Sequence, residues 1–304
     1  MDETKKLWVR VVVLVLLFLA LLTSVFPSVW REQVASVFSS LGAGAGLSSG
    51  DGLLTVAFLD VGQGDAIYIE TPDGVQVLID GGPDRGVLTE LASVMPLFDR
   101  TLDVLVATHS DKDHIGGLVD VLSRYDVLNI VRTENKNDTS VTEIFAALGA
   151  KETDKLHIAS AGQQLQLGAS TTLAVLSPLG DPSAWESNAS SIVAQLQYGD
   201  IAFMLTGDAP IGIEDYLVES YGELLQSDVL KLGHHGSKTS SGEAFLKAVL
   251  PSYAIVSAGV DNRYGHPHKE VLERVSVVEA EILSTVEKGT IIFKSDGKKV
   301  WLEK

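Results

Sequence analysis

An α/β sandwich, two sheets packed together and covered by helices, is the architecture that residues 55–304 predict, behind a single N-terminal transmembrane helix. Three observations carry it. The unit opens on period-2 strand patterns, continues as short apolar β-runs alternating with helical segments, and closes on a hairpin, with no repeat at a fixed short period.

The first element is the run from Leu7 to Val29, whose only strongly polar member is Arg10. It is long enough to cross a bilayer, which takes about 20 apolar residues. Lys5, Lys6 and Arg10 stand at its start and only Arg31 follows closely. Residues 1–6 are therefore expected in the cytoplasm and the chain after residue 30 outside it, tethered to the plasma membrane by one pass and in contact with lipid through residues 7–29. A cleaved signal sequence, giving a secreted protein, is the alternative, but the run exceeds a usual h-region and no small-x-small site follows promptly. Residues 39–52, SSLGAGAGLSSGDG, make 30–54 a Gly/Ser-rich flexible linker.

Strand patterns follow at Thr55–Asp60, Asp65–Glu70 and Gly74–Asp80, the last two joined by a Pro72-Asp73-Gly74 turn. Leu102–Thr108 reads as a strand running into a helix from Asp113 to about Tyr125. Thr172–Leu176 and Ile201–Thr206 are further strands. Asp228–Leu232 leads to a helix at Gly242–Val249, and Tyr253–Ser257 to one at Lys269–Val275. Gly289–Lys294 and Lys298–Leu302 form the closing hairpin around Asp296-Gly297.

Composition excludes several kinds of chemistry. The 304 residues include no Cys, so disulfides, thiolate metal sites and cysteine nucleophiles are ruled out, and any metal must sit on His, Asp or Glu. The formal charge is −17, from 23 basic and 40 acidic residues. Residues 1–54 hold four of each sign, so the whole excess lies in the folded unit. That opposes a long basic footprint on nucleic acid. A polyanionic substrate would need local neutralisation.

The strongest chemical signal is Thr108-His109-Ser110-Asp111-Lys112-Asp113-His114-Ile115-Gly116-Gly117, where a buried strand gives way to a helix. Two imidazoles and two carboxylates in six residues can point four ligands at one spot, a set suited to zinc, manganese or iron. Gly116 and Gly117 would let the helix start pack closely on the loop. Two more strands end in ligand-type residues, Asp208 after Met204–Thr206 and His234-His235 after Val229–Leu232. Three strand ends delivering ligands to one sheet edge are what a two-metal hydrolase needs. Of the seven histidines, His157 alone lies apart and is read as structural.

These residues resemble the metallo-β-lactamase fold, and within it the nuclease-like domain of ComEC-type DNA-uptake proteins. The likeness runs through Phe58–Ala66, Leu78–Gly82, Thr108–Gly117, Asn188–Val193, Leu205–Asp208, Lys231–Ser241 and Tyr264–His268. Where full ComEC proteins have a multi-helix membrane channel, a single N-terminal anchor is expected here.

The resemblance implies an αββα four-layer sandwich with one or two divalent ions, zinc or manganese, at one edge. His109 and Asp111 would hold the first ion. Asp113 and His114 would hold the second with His234 or His235, His234 being favoured because it comes first after the strand. Asp208 would bridge, and Asp80 would brace the metal loop from behind. Two departures stand out: Asp111 replaces a common His, and no His lies between His157 and His234, where Asn188 and serines stand instead. The ComEC-like pattern shares both.

Ser237, Lys238, Thr239 and Ser240 at a helix start read as a phosphate cradle, or as an N-cap. Gln63 and Asp65 read as shaping the site rim. The function expected is extracytoplasmic hydrolysis of DNA phosphodiesters. Asp113 or Asp208 would orient the attacking water, and His235, His266 or His268 would protonate the leaving oxygen. The alternatives are other phosphodiesters (wall polymer, phosphocholine or nucleotide) or a non-catalytic DNA-handling module of an uptake machine. Lactam hydrolysis is disfavoured by Asp111 and the Ser237–Ser241 segment.

Overall fold

A computed structural model describes residues 52–135, 139–149 and 156–303. The expected membrane helix at 7–29 and nearly all of the linker lie outside these residues. Among the described residues, no helix is long and apolar enough to cross a membrane.

Two mixed sheets form the centre. Strands β1 (Leu54–Phe58), β2 (Ile67–Glu70), β3 (Gln76–Ile79), β4 (Thr101–Ala107), β5 (Asp126–Arg132) and β6 (Leu156–Ile158) join the C-terminal pair Ile291–Ser295 and Val300–Leu302, which lies beyond β1. The second sheet holds β7 (Gln164–Leu167), β8 (Thr171–Ser177), β9 (Val193–Tyr198), β10 (Ile201–Leu205), β11 (Val229–Lys231), β12 (Tyr253–Val256) and β13 (Glu281–Ser284) in consecutive order. The C-terminal strands are β14 and β15. From β3 to β6 and from β10 to β13 neighbours run parallel; the other pairs are antiparallel.

Period-2 alternation sends apolar side chains to both faces. Val56 and Phe58 of β1 face the second sheet, while Ala57 packs toward helices α1 (Val87–Val94), α2 (Lys112–Ile115), α3 (Leu118–Leu122) and α4 (Ser140–Gly149). Likewise Ile201, Phe203 and Leu205 of β10 enter the inter-sheet core. Met204 meets α5 (Ile211–Tyr221), α6 (Glu243–Val249) and α7 (Lys269–Val277) on the opposite face. Phe293 joins the sheets, its ring centroid 6.1 Å from Phe58, 6.1 Å from Phe203 and 5.2 Å from Tyr253, all edge-on. The layers are thus helix, sheet, sheet, helix.

One expectation is corrected here. The single helix read from Asp113 to Tyr125 is two short ones, because the chain between them presses on the loop after β3. A Cβ at Gly116 would overlap the Pro83 carbonyl, and one at Gly117 the Gly81 carbonyl. Gly81 N donates to His114 O at 2.7 Å and Gly117 N to Gly82 O at 3.0 Å. The glycine pair therefore clamps α2 to the loop that carries Asp80.

The helix start at Ser240–Gly242 is closed from within. Glu214 on α5, fully buried, accepts Ser241 N and Gly242 N at 2.7 Å each. Burial pushes its carboxyl up to about 7, outweighing the two N–H groups that favour the anion. The folded chain then holds this proton more tightly than the unfolded chain. The stabilisation is complete below the ordinary carboxyl range and is lost as pH rises through about 7. Glu214→Gln should flatten the pH profile of the thermal midpoint between pH 5 and 8, removing about 2–3 kcal/mol of pH-dependent stability. Identical profiles for the two proteins would contradict this.

Candidate metal centre

Loops leaving β3, β4, β10 and β11 bring their polar residues together at one edge of the sandwich. Asp80 follows β3 with a left-handed backbone, φ 58°. Its Oδ1 accepts Thr108 N at 2.8 Å; its Oδ2 accepts the Thr108 hydroxyl at 2.6 Å and His114 Nδ1–H at 2.8 Å. With its proton committed to Asp80, the Thr108 oxygen can accept His109 Nδ1–H at 3.0 Å. In their neutral forms both imidazoles are then held in the tautomer that leaves a lone pair on Nε2, the form a metal ion would bind.

Lys231, a fully buried lysine in an apolar strand, is paired through Nζ with Asp65 Oδ2 at 2.8 Å and donates to Leu232 O at 2.9 Å. The other Asp65 oxygen lies 3.2 Å from His235 Nδ1, which also reaches Ser257 O at 3.0 Å. These contacts hold the His235 ring, and His234 and His235 both take left-handed conformations, φ 50° and 57°, which cost about 1–3 kcal/mol each. Asp65, read from sequence as a rim residue, is instead buried beneath His235. Gln63 is the rim member, its Oε1 accepting Gly259 N at 3.1 Å.

Asp208 is the meeting point. Its carboxylate lies 3.3 Å from His114 Nε2, 3.6 Å from His235 Nε2, 3.7 Å from His234 Nε2 and 3.9 Å from His109 Nε2. Asp111 sits 3.9 Å from His109 Nε2, and Asp113 3.4 Å from His235 Nε2. His235 is 1% exposed, whereas the His234 ring is 28% exposed, with Nδ1 3.4 Å from Asn188 and 3.2 Å from Thr239.

Four of these atoms, His109 Nε2, His114 Nε2, His235 Nε2 and Asp208 Oδ1, are buried and make no hydrogen bond. A native interior leaves few such orphans, and each costs about 1–3 kcal/mol. Asp65, His114, Asp208 and His235 also offer ligand atoms all within 4.8 Å of one another. Both Asp65 oxygens are already engaged, so its place is behind His235. The imidazole and carboxylate donors fit a divalent ion of the zinc or manganese type.

The electrostatics agree. Burial would raise the Asp208 carboxyl, but His114, His235 and His109 outweigh it and hold the group well below its ordinary range. Burial likewise pulls His114 and His235 down, yet Asp208 with Asp80 holds His114 well above its usual value. Asp208 with Asp65 pushes His235 up to about 9. His109 is lowered by burial and by the charge on His114. Without an ion, protons take the place of its charge.

The remaining expected site residues line the rim or turn inward. His266 and His268 lie with ring centroids 4.9 Å apart, and His266 is 5.4 Å from His234. His268 Nδ1 accepts Lys238 N at 3.2 Å. Lys238 and Thr239 are exposed. The phosphate-cradle expectation is corrected at Ser240, which is fully buried and donates to Ala209 O at 2.8 Å. Ser237 is nearly buried beside Thr239. His157 stands apart on edge strand β6. Sequence reading gave no role to Lys231; a lone cation inside a buried apolar strand was the available signal.

A family model described as the metallo-beta-lactamase superfamily matches residues 59–260. The chain is 31% identical over 256 residues to ComE operon protein 3 of Bacillus subtilis (strain 168), covering 79% of this chain and 33% of that protein. It is 32% identical over 239 residues to competence protein ComA of Neisseria gonorrhoeae, covering 78% and 32%. It thus spans about a third of the length of these curated relatives. A solved structure of Igni18, a novel metallo hydrolase from the hyperthermophilic archaeon Ignicoccus hospitalis KIN4/I, shares the fold. The TM-score is 0.56 at 18% identity, over 80% of this chain and 100% of that one.

Because an ion must displace protons from His114 and His235, zinc or manganese affinity should rise with pH between 6 and 9, with protons released on binding. Titration calorimetry in buffers of different ionisation enthalpy measures both. Asp80→Ala should weaken binding by about 10–100-fold. Affinity independent of pH and of Asp80 would contradict the arrangement.

Proposed function

The chain belongs to the metallo-beta-lactamase superfamily, and from that premise we propose that it is a metal-dependent phosphodiesterase that cleaves DNA outside the plasma membrane, anchored by residues 7–29. The observation that carries the hydrolytic reading is the set of four buried, unpartnered donor atoms around Asp208. The DNA substrate is supported by the ComEC-type resemblance and the 31% identity to ComE operon protein 3.

On this reading His109 and Asp111 would hold one ion, and Asp113, His114 and His235 the other, with Asp208 between them. Zinc or manganese so held would supply Lewis acidity to a phosphoryl oxygen and lower the pKa of the attacking water. His235 is preferred to His234 as a ligand because its Nε2 is buried without a partner while its Nδ1–H is braced by Ser257 O and Asp65.

The chain's own groups do the positioning. Asp113 is lowered despite burial, its His235 contact and His114 outweighing that cost; it is an anion at neutral pH and orients the water. His268 accepts Lys238 N–H at Nδ1, so its ring N–H stands on Nε2 as a hydrogen-bond donor to the leaving oxygen, which takes its proton from solvent. His266 is pushed down to about 4 by burial and by His234 and His235. At neutral pH it is an uncharged hydrogen-bond donor, so it acts without the cationic acid role. Asn188, His234, Lys238 and Thr239 form the polar rim that receives the phosphodiester.

The full chain, stripped of metal and resupplied with manganese or zinc, is expected to cut linear or circular DNA. Asp113→Ala should reduce the rate by about 100-fold or more. If neither DNA is cut while the ion still binds, DNA is the wrong phosphodiester, and small diesters and wall polymers take its place. If no ion binds, the non-catalytic module is the correct reading.

A further inference from the structure

A cleft of about 330 Å³ opens beside Asp113, lined by Gln63, Pro83, Lys112, Asp113, Arg263 and Tyr264 among others. In a chain of net charge −17 it concentrates two cations. Its aromatic member is exposed: Tyr264 keeps 49% of its surface in solvent although it lies next to the buried centre.

Tyr264 belongs to a ladder of planar groups that climbs out of the site. His235 and His266 have ring centroids 6.2 Å apart, and His266 and Tyr264 are stacked at 5.6 Å with planes 22° apart. Arg263 caps the ladder, its guanidinium carbon 4.9 Å from the Tyr264 centroid and its Nη2 donating to the phenol oxygen at 2.6 Å. Phosphate chemistry alone calls for none of this. A cleft with a proline, an exposed phenol and a planar cation suits the flat face of a base, with Lys112 and Arg263 available to its phosphates.

Resting on the phosphodiesterase reading above, we infer that this cleft seats an unpaired nucleobase of a single-stranded nucleic acid, on the nucleotide flanking the scissile phosphate. A paired base keeps its faces inside the duplex and cannot enter. The platform therefore selects strand state over sequence, since every base offers a π-face. Tyr264 and Arg263 are binding groups in this account, outside the reacting atoms.

The test uses the full chain without metal, at low salt, and follows fluorescence anisotropy with labelled oligo-dT, the same strand made abasic, and a duplex. The wild type is expected to prefer the base-bearing strand over the abasic one by about tenfold. Tyr264→Ala should erase that preference and Tyr264→Phe keep it; Arg263→Gln should weaken both strands. Metal-dependent hydrolysis of bis(p-nitrophenyl) phosphate by the wild type is the separate check on the phosphodiesterase reading. Equal binding of normal and abasic strands by the wild type, an unchanged preference in Tyr264→Ala, or duplex binding as tight as single-strand binding overturns the inference. Failure to hydrolyse the small diester would instead strike the phosphodiesterase reading, leaving the strand comparison to decide this one.

Discussion

Burying the carboxylate of Asp208 is the constraint around which the rest of the molecule is arranged. An ion taken out of water costs several kcal/mol even after relaxation, and only close opposite charge offsets it. Asp208 obtains that charge from imidazoles of two sheets, His114 from the first and His235 from the second, with His109 Nε2 close beside them. The imidazoles in turn need their far nitrogens occupied, which fixes Asp80 behind His114, Ser257 and Asp65 behind His235, and buried Lys231 behind Asp65. Removing any outer member loosens the ring inside it. The site thus depends on how the sheets pack, which is set by the edge-on contacts of Phe293 with Phe58, Phe203 and Tyr253.

The same constraint makes sense of the acidic composition. The centre gathers more carboxylates than its imidazoles can neutralise unless protonated or joined by cations, and protonation at His114 and His235 holds the place that divalent ions would take. On the proposed reading those ions also receive a polyanion that the surface at large repels. Local cations at Lys112, Lys238 and Arg263 stand around the mouth while the remaining surface stays acidic. Binding would then be local, with few phosphates engaged per encounter.

Much of this was legible in the sequence. The Thr108–Gly117 segment declared its ligands because metal chemistry needs scarce residue types close together, and the apolar runs before Asp208 and His234 marked strand ends. The two-sheet sandwich followed from short apolar strand runs alternating with helical segments, and the αββα layering from the family resemblance. What stayed hidden was set by contacts distant in sequence. Nothing local says that Glu214 caps a helix start 27 residues away, which is why Ser240 read as a cradle. Two adjacent histidines cannot be ranked without knowing that both are left-handed and that Asp65, 170 residues away, reaches His235. Helix α1 was missed because only Val87 and Leu91 are buried along it, too few to mark a period. The helix after Asp113 was overextended because the close packing expected of Gly116 and Gly117 at its start in fact interrupts it there.

The central claim is that the four unpartnered atoms around Asp208 exist to hold divalent ions. Elemental analysis of the full chain, purified without chelators, beside Asp208→Ala purified the same way, tests it most directly. One or two equivalents of zinc or manganese in the wild type, and a clear loss in the folded variant, is the result predicted. A folded wild type with no bound metal, which also fails to take up either ion at neutral pH, would contradict it.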